Sequence, residues 1–336
     1  MTGDGHEPEL RVLVPESARG LRLDRFLALA LEGQRAPLSQ LSRSELKRWI
    51  DEGRVTVAGA AKRAADKVRP GDEVRVRPAS PPPTRAVPDA TVPFEVLYED
   101  DEVVVVDKPA GVVVHPAAGH VTGTLVNGLL ARGYFDREPA LLDGPDDDEA
   151  DAERSRPGIV HRLDKDTSGV MMVARTARAR EALKAQFAAH TIDRAYEAVC
   201  VGALASTTFA TLHGRNPSNR LLFSSRVREG KRAVTHVVAE RSYRGLATRI
   251  TCRLETGRTH QIRVHLADAG HPLLGDLAYG GPPREPALAR VARALGRQAL
   301  HARRLGFVHP RTGAALVFEA GLPDDLALAI AALEAL

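Results

Sequence analysis

Gly158-Ile159-Val160-His161-Arg162-Leu163-Asp164-Lys165-Asp166-Thr167-Ser168-Gly169 is the stretch on which the reading of this chain turns. An apolar approach leads into two acids and three potential cations within six positions, and a small polar close gives way to Val170, Met171, Met172 and Val173. The pattern predicts a strand, a charged turn and a second strand. Mixed charge at this density in an apolar setting is costly to bury unless the groups pair with one another or with a ligand. The stretch is therefore a candidate active site. The plain alternative is a solvated hairpin turn whose ion pairs contribute little.

Working outward, 336 residues with 43% hydrophobic and 27% charged side chains suit a globular chain of two domains. Net charge is +4, but residues 143–153 hold seven acids and neither Lys nor Arg, which leaves the rest of the chain at +11. That surplus favours a polyanionic partner. Cys200 and Cys252 are far apart and show no CxxC spacing, against both a zinc module and a disulfide framework. No apolar run approaches the roughly 18 residues of a membrane span, and residues 1–8 lack a signal-peptide core. A soluble cytoplasmic protein without a membrane partner is expected.

Residues 1–19 read as a polar tail with a lead-in strand at Leu10 to Val14. Leu23, Phe26, Leu27, Ala30 and Leu31 then follow helical spacing. In a second helix Ser42 and Glu45 form a capping box, Leu46, Trp49 and Ile50 make the apolar face, and Gly53 sits at the C-cap. Val55 and Val57, then Val74 and Val76, alternate as strands. Arg43, Lys47, Arg48, Arg54, Lys62, Arg63 and Lys67 crowd this module of residues 20–77. So many cations on so short a module point to an RNA clamp rather than an idle basic face.

Residues 78–93, with three consecutive prolines at Pro81 to Pro83, are expected as an extended linker. Beyond it, residues 94–336 form the larger domain. Strands are expected at Phe94 to Tyr98, Glu102 to Asp107, Glu197 to Val201, Lys231 to Val238, Thr248 to Leu254, Ala299 to Phe307 and Ala315 to Glu319. Helices are expected at Thr124 to Leu130, from a Thr176 cap through Phe187, and after Pro323. Residues 143–156 read as a disordered acidic insertion. A second polar concentration runs from Glu255 through Arg258, His260 and Arg263 to Leu266. His260 and His265 lie outside any HExxH pattern, so loop-orienting histidines are expected rather than a metal site.

Asp164, at the end of an apolar strand, can act as nucleophile or base if neighbouring cations hold it ionised. A phosphotransferase reading uses Asp164 and Asp166 but lacks an acidic partner beside Asp276 for magnesium. A serine hydrolase reading fails because Ser168 has no G-x-S-x-G elbow. Metal-free chemistry on a nucleoside needs one carboxylate, an aromatic group against an extruded base and cations for phosphates, and Asp164, Tyr196 and the arginines are of these types.

The run from His161 to Gly169 resembles the signature of the RluA family of pseudouridine synthases. Asp107 to Gly111 with His115 and Pro116, Arg194 to Tyr196, Thr256 to His265, Gly270 to Asp276 and Leu300 to Ala302 agree with it in order. Arg22 to Leu27, Ser42 to Ile50 and Gly53 to Val57 resemble the S4-like RNA-binding domain. With that domain in front, the chain is similar to the branch acting on large-subunit ribosomal RNA, and His115 to Gly119 with Gly123 to Asn127 favours the RluD side over RluC.

The resemblance implies an α+β chain: a small S4-like domain, then a catalytic domain with a mixed, mainly antiparallel sheet flanked by helices. It implies isomerisation of uridine to pseudouridine in RNA by a monomer without cofactor or metal. Asp164 starts glycosidic cleavage, by attack on the sugar or by removal of a sugar proton. Tyr196 packs on the flipped base and assists the last deprotonation, Arg258 pairs with Asp164, and Arg162 holds the flipped-out conformation. Arg22 and Arg25 with the cations of the small module, and His115, His260 and Arg263 in the larger domain, are expected to bind RNA. The alternative is a non-catalytic RNA-binding assembly factor.

Overall fold

The computed structural model describes residues 9–31, 43–77, 86–116, 122–135 and 158–336. The acidic segment and Ser42 lie outside them. The chain divides into two compact units, Met1–Thr84 and Arg85–Leu336.

In the first unit the expected periodicities produce the expected elements, with one further short strand, Ala60–Ala61. β1 (Leu10–Leu13), α1 (Leu23–Leu31), α2 (Arg43–Asp51), β2 (Val55–Val57), β3 (Ala60–Ala61) and β4 (Glu73–Val76) follow in order. The four strands form an antiparallel sheet, β1-β4-β2-β3. Leu23, Phe26 and Leu27 of α1 meet Leu46, Trp49 and Ile50 of α2 over Val55, Val57, Val74 and Val76 in one buried core. Gly53 closes α2 at φ +70°, its N–H donating to Ile50 O (3.0 Å) while Arg54 N–H reaches Trp49 O (2.9 Å). That is the two-bond Schellman closure, which puts a left-handed residue after the helix. A Cβ at Gly53 would meet nothing within 4 Å, so Gly53→Ala tests backbone strain alone. It is expected to destabilise this unit by about 1 kcal/mol in urea unfolding.

The second unit is built on a ten-stranded sheet. Its elements are β5 (Glu95–Glu99), β6 (Val103–Lys108), α3 (Leu125–Ala131), β7 (Ser168–Ala174), α4 (Ala177–Ala188), β8 (Asp193–Val201), β9 (Thr207–Arg215), β10 (Phe223–Ser224), β11 (Lys231–Tyr243), β12 (Ala247–Leu254), α5 (Gln261–Asp268), α6 (Pro286–Leu295), β13 (Leu300–Val308), β14 (Ala315–Glu319) and α7 (Asp324–Glu334). The strand order is β10-β9-β11-β12-β8-β13-β7-β6-β5, with β14 also on β13. Among the described residues every strand pairing in this sheet is antiparallel except β13 with β7, where His301 faces Ser168 and Ala302 faces Gly169. The mixed, mainly antiparallel sheet is thus present.

Central strands are buried on both faces, which is why they read as continuous apolar runs rather than alternating ones. Val104, Val106, Met171 and Val173 enter the core shared with α3 and α5, while Val103, Val105, Val170 and Met172 enter the core under α4. A third core joins α6 and α7. Among the described residues no helix is long and apolar enough to cross a membrane.

Three expectations are amended, and several elements are additional. Of the expected linker 78–93, residues 78–85 lie outside the described residues and 86–93 belong to the second unit, where Val92 is buried in the α3 core and Asn127 Nδ2 donates to Val87 O (2.7 Å). Tyr196 lies within β8 rather than ahead of it. Ile159 makes a single bridge to Val173, so the approach to the charged turn is not a full strand. Strands β3, β9 and β10 and helices α5 and α6 are additional to the expected elements.

Candidate active site

The charged turn sits at the entrance to β7. Ile159 and Leu163 are buried in the sheet core, so the residues beside them, Arg162 and Asp164, turn outward. Thr167 N–H donates to Asp164 O (3.1 Å), closing a turn that presents the Asp164 carboxylate to a cleft of about 1080 Å³. Tyr196 of β8, Arg258 and Arg263 line the same cleft, together with Ile262 and Leu300.

Below the turn, Lys108 is fully buried and its Nζ donates to Pro109 O (2.8 Å), Val112 O (2.9 Å) and Lys165 O (3.0 Å). Burial pushes its pKa down to about 7, opposed by the charges of Asp166 and Asp164.

Asp164 is paired with Arg263. Arg263 Nη1 donates to Asp164 Oδ2 at 3.0 Å, while its Nε and Nη2 grip Asp276 at 2.7 and 2.9 Å. A fork held bidentately by one buried carboxylate can aim its remaining nitrogen at a second. Burial works to lower the Arg263 pKa, but Asp276, then Asp164, outweigh it and raise it above the ordinary arginine value. Asp276 also accepts from the Ala278 and Tyr279 N–H groups, which locks the loop that carries it.

His260 lies 3.9 Å from Asp164 Oδ1 through Nε2, beyond hydrogen-bond reach. Tyr279 Oη accepts from Phe223 N–H (3.1 Å) and lies 2.8 Å from His260 Nδ1. When Tyr279 Oη donates to Nδ1, the proton of the neutral His260 ring is on Nε2, the nitrogen nearer the carboxylate. Burial pushes the His260 pKa down, against the charge of Asp164, so the ring is neutral at pH 7.

Arg258 does not make the expected pair with Asp164. Its Nε donates to Arg232 O (3.2 Å), and its backbone N–H to Gln261 Oε1 (3.0 Å). The reason is local: α5 begins immediately after His260, which takes φ 57°, and Arg263 in its first turn reaches the carboxylate instead. Arg263, expected as an RNA contact, therefore occupies the position expected of Arg258. Arg162 is exposed in the cleft, and no described residue pairs with it.

Tyr196 is 8% exposed, and burial raises its hydroxyl pKa, so it is un-ionised at pH 7. His161 accepts from Met172 N–H (3.0 Å) and packs on Phe187, its pKa pushed down to about 3 by burial. It is a fixed neutral acceptor and not a base. Ser168 Oγ lies 3.0 Å from His301 Nδ1, but both are buried and neither lines the cleft. The position between Asp164 and Asp276 that a phosphotransferase would give to magnesium holds the Arg263 guanidinium. Among the described residues no three His, Cys, Asp or Glu side chains converge as a metal site requires.

His115 does not line the cleft. In the small unit Arg25, Lys47, Lys62 and Arg63 are exposed, Arg22 forms a two-bond pair with Asp24, and Arg54 pairs with Glu52. Arg43 and Arg48 lie on α2, and their side chains fall outside what is described. The signal that would have found α5 is its sequence position between a polar turn and Gly270, not a hydrophobic stripe, because Gln261, Arg263 and His265 are all buried.

RNA pseudouridylate synthase sequences match residues 102–268, and an S4 domain matches residues 38–74. The chain belongs to the RNA pseudouridylate synthase family. A Xanthomonas campestris protein named ribosomal large subunit pseudouridine synthase D is 44% identical over 330 residues, covering 96% of this chain and 92% of that protein. A Bacillus subtilis protein named as an uncharacterized RNA pseudouridine synthase, YlyB, is 40% identical over 95% of this chain and 96% of its own length. The fold is shared by human RNA Pseudouridylate Synthase Domain Containing 4, with a TM-score of 0.51 and 23% identity over 71% of this chain and 93% of that one. The expected enzyme class, an isomerase making pseudouridine in RNA, stands.

Proposed function

We propose that the substrate is large-subunit ribosomal RNA and that Asp164 carries the chemistry. The observation that carries this reading is the Asp164 carboxylate, held at 3.0 Å by Arg263 in a cleft it shares with Tyr196. The relatives' names supply the substrate class. A uridine must leave its stack before the bond between sugar and base is reachable. Arg162, exposed in the cleft lining, takes the space the base vacates. Asp164 then opens the C1′–N1 bond, by attack on the sugar or by removing a sugar proton, and the uracil turns and rejoins through C5. The C5 proton leaves, N1 ends protonated, and no electron is gained or lost overall. Tyr196 packs against the base during the turn and assists that deprotonation. Arg258, with its side chain along β11, contacts the RNA backbone. All of these groups come from one chain, which suits a monomer working in the cytoplasm where ribosomal RNA is made and assembled.

The test is tritium release from ribosomal RNA labelled at uridine C5. The purified protein is expected to release tritium from large-subunit RNA lacking its own modifications. Binding without release from any unmodified RNA would instead support the non-catalytic assembly factor.

A further inference from the structure

We propose that Arg297, fixed by Asp325 of the last helix, is a positioning residue that sets the geometry of the Asp164–Arg263 pair. Arg297 follows α6 and is 8% exposed. Its Nε and Nη2 make a two-bond fork onto Asp325 at 2.6 and 2.9 Å. Its Nη1 reaches Asp166 O (3.1 Å), Leu300 O (3.2 Å) and Gln298 O (3.3 Å), and Nη2 also approaches Ser168 Oγ (3.4 Å). The next residue, Gln298, donates from Nε2 to Thr167 Oγ1 (3.3 Å), and His301 holds Ser168. The three residues that leave the Asp164 turn are thus each gripped by side chains from 297–301.

The backbone of the same strip fixes the other member of the pair. Gly275 lies so close under Arg297 O that a Cβ there would sit 2.1 Å away, and Ala299 N–H donates to Leu274 O (2.8 Å). Asp276 follows directly and orients Arg263. One strip, Arg297 to Ala299, therefore references Asp164 through its side chains and Arg263 through its main chain. A buried guanidinium must have its charge compensated. Asp325, in the first turn of α7, supplies the compensation from a part of the chain that does not line the cleft.

Displacing the strip moves the carboxylate relative to its guanidinium, and misplacement of about 1 Å can cost about a hundredfold in rate. The experiment uses the full-length protein and its tritium-labelled RNA substrate, with single-turnover rate, RNA affinity and thermal melting measured on each variant. Asp325 is 40% exposed, so Asp325→Asn is the variant that best keeps the fold. It is expected to lower the single-turnover rate by about tenfold to a hundredfold while RNA affinity stays within about twofold. Asp325→Glu is expected to recover most of the rate. Arg297→Lys should match Asp325→Asn, and the double variant should be no slower than the slower single one, as coupled partners require. The proposal is overturned by an unchanged rate, by losses that multiply in the double variant, by a loss matched by weaker binding, or by a loss that vanishes once rates are scaled to the folded fraction. An inactive parent protein would instead count against the proposed substrate.

Discussion

Asp164→Asn is expected to leave RNA binding intact and to reduce tritium release by about 10⁴-fold or more, about 5 kcal/mol of lost transition-state stabilisation. Asparagine matches aspartate in size but is neither a useful nucleophile nor a base. The fold should tolerate the change for a specific reason. Arg263 keeps its bidentate partner Asp276, and its Nη1 can still donate to the amide oxygen at the position Asp164 Oδ2 now holds. Equal melting temperatures and equal RNA affinity alongside the lost turnover would place the effect in chemistry. Retained turnover in Asp164→Asn would remove the carboxylate from the mechanism.

The second large effect is expected at Arg263. Lysine cannot bridge two carboxylates with a fixed fork, so Arg263→Lys should lower the single-turnover rate by about 10²-fold to 10³-fold. It should also destabilise the larger domain, because Asp276 is 2% exposed and loses its bidentate partner. Breaking a buried pair outright costs about 3–5 kcal/mol, and the retained charge of lysine recovers part of that. The comparison that decides the assignment is Arg258→Lys. Arg258 bonds a backbone carbonyl of β11, so its lysine variant should leave the chemical step within about threefold and weaken RNA binding modestly. If Arg258→Lys slowed the chemical step more than Arg263→Lys, the pairing with Asp164 would have to be exchanged during catalysis.

The charged run singled out Asp164, the resemblance singled out Tyr196, and the structure brings both to one cleft. The choice between Arg258 and Arg263 was not legible in the sequence. Both lie nearly a hundred residues beyond Asp164, and which one faces it depends on α5 starting at Gln261 after a left-handed His260. That helix is eight residues long and buries Gln261, Arg263 and His265, so it shows no amphipathic stripe to read. Helix α6 is a different case: Glu285 caps it, Pro286 opens it, Leu288, Val291, Ala292 and Leu295 repeat at helical spacing, and Gly296 ends it. Its signals were all present. In the small unit, by contrast, the helix faces and the alternation of Val55, Val57, Val74 and Val76 matched their patterns, since these side chains share one buried core with α1 and α2.

The lone parallel contact of the sheet bears on how the enzyme matures. β7 is flanked by β6 on one side, supplied by residues made earlier, and by β13 on the other, made some 130 residues later with His301 opposite Ser168. A pairing of such wide sequence separation forms slowly, because loop-closure entropy is lost before the contact repays it. During synthesis from the N-terminus, the Asp164 turn emerges long before the strand and arginine that brace it. The first unit draws only on residues up to Thr84, whereas the Asp164 turn waits for His301 opposite Ser168 and for Arg297 with Asp325 before it is braced.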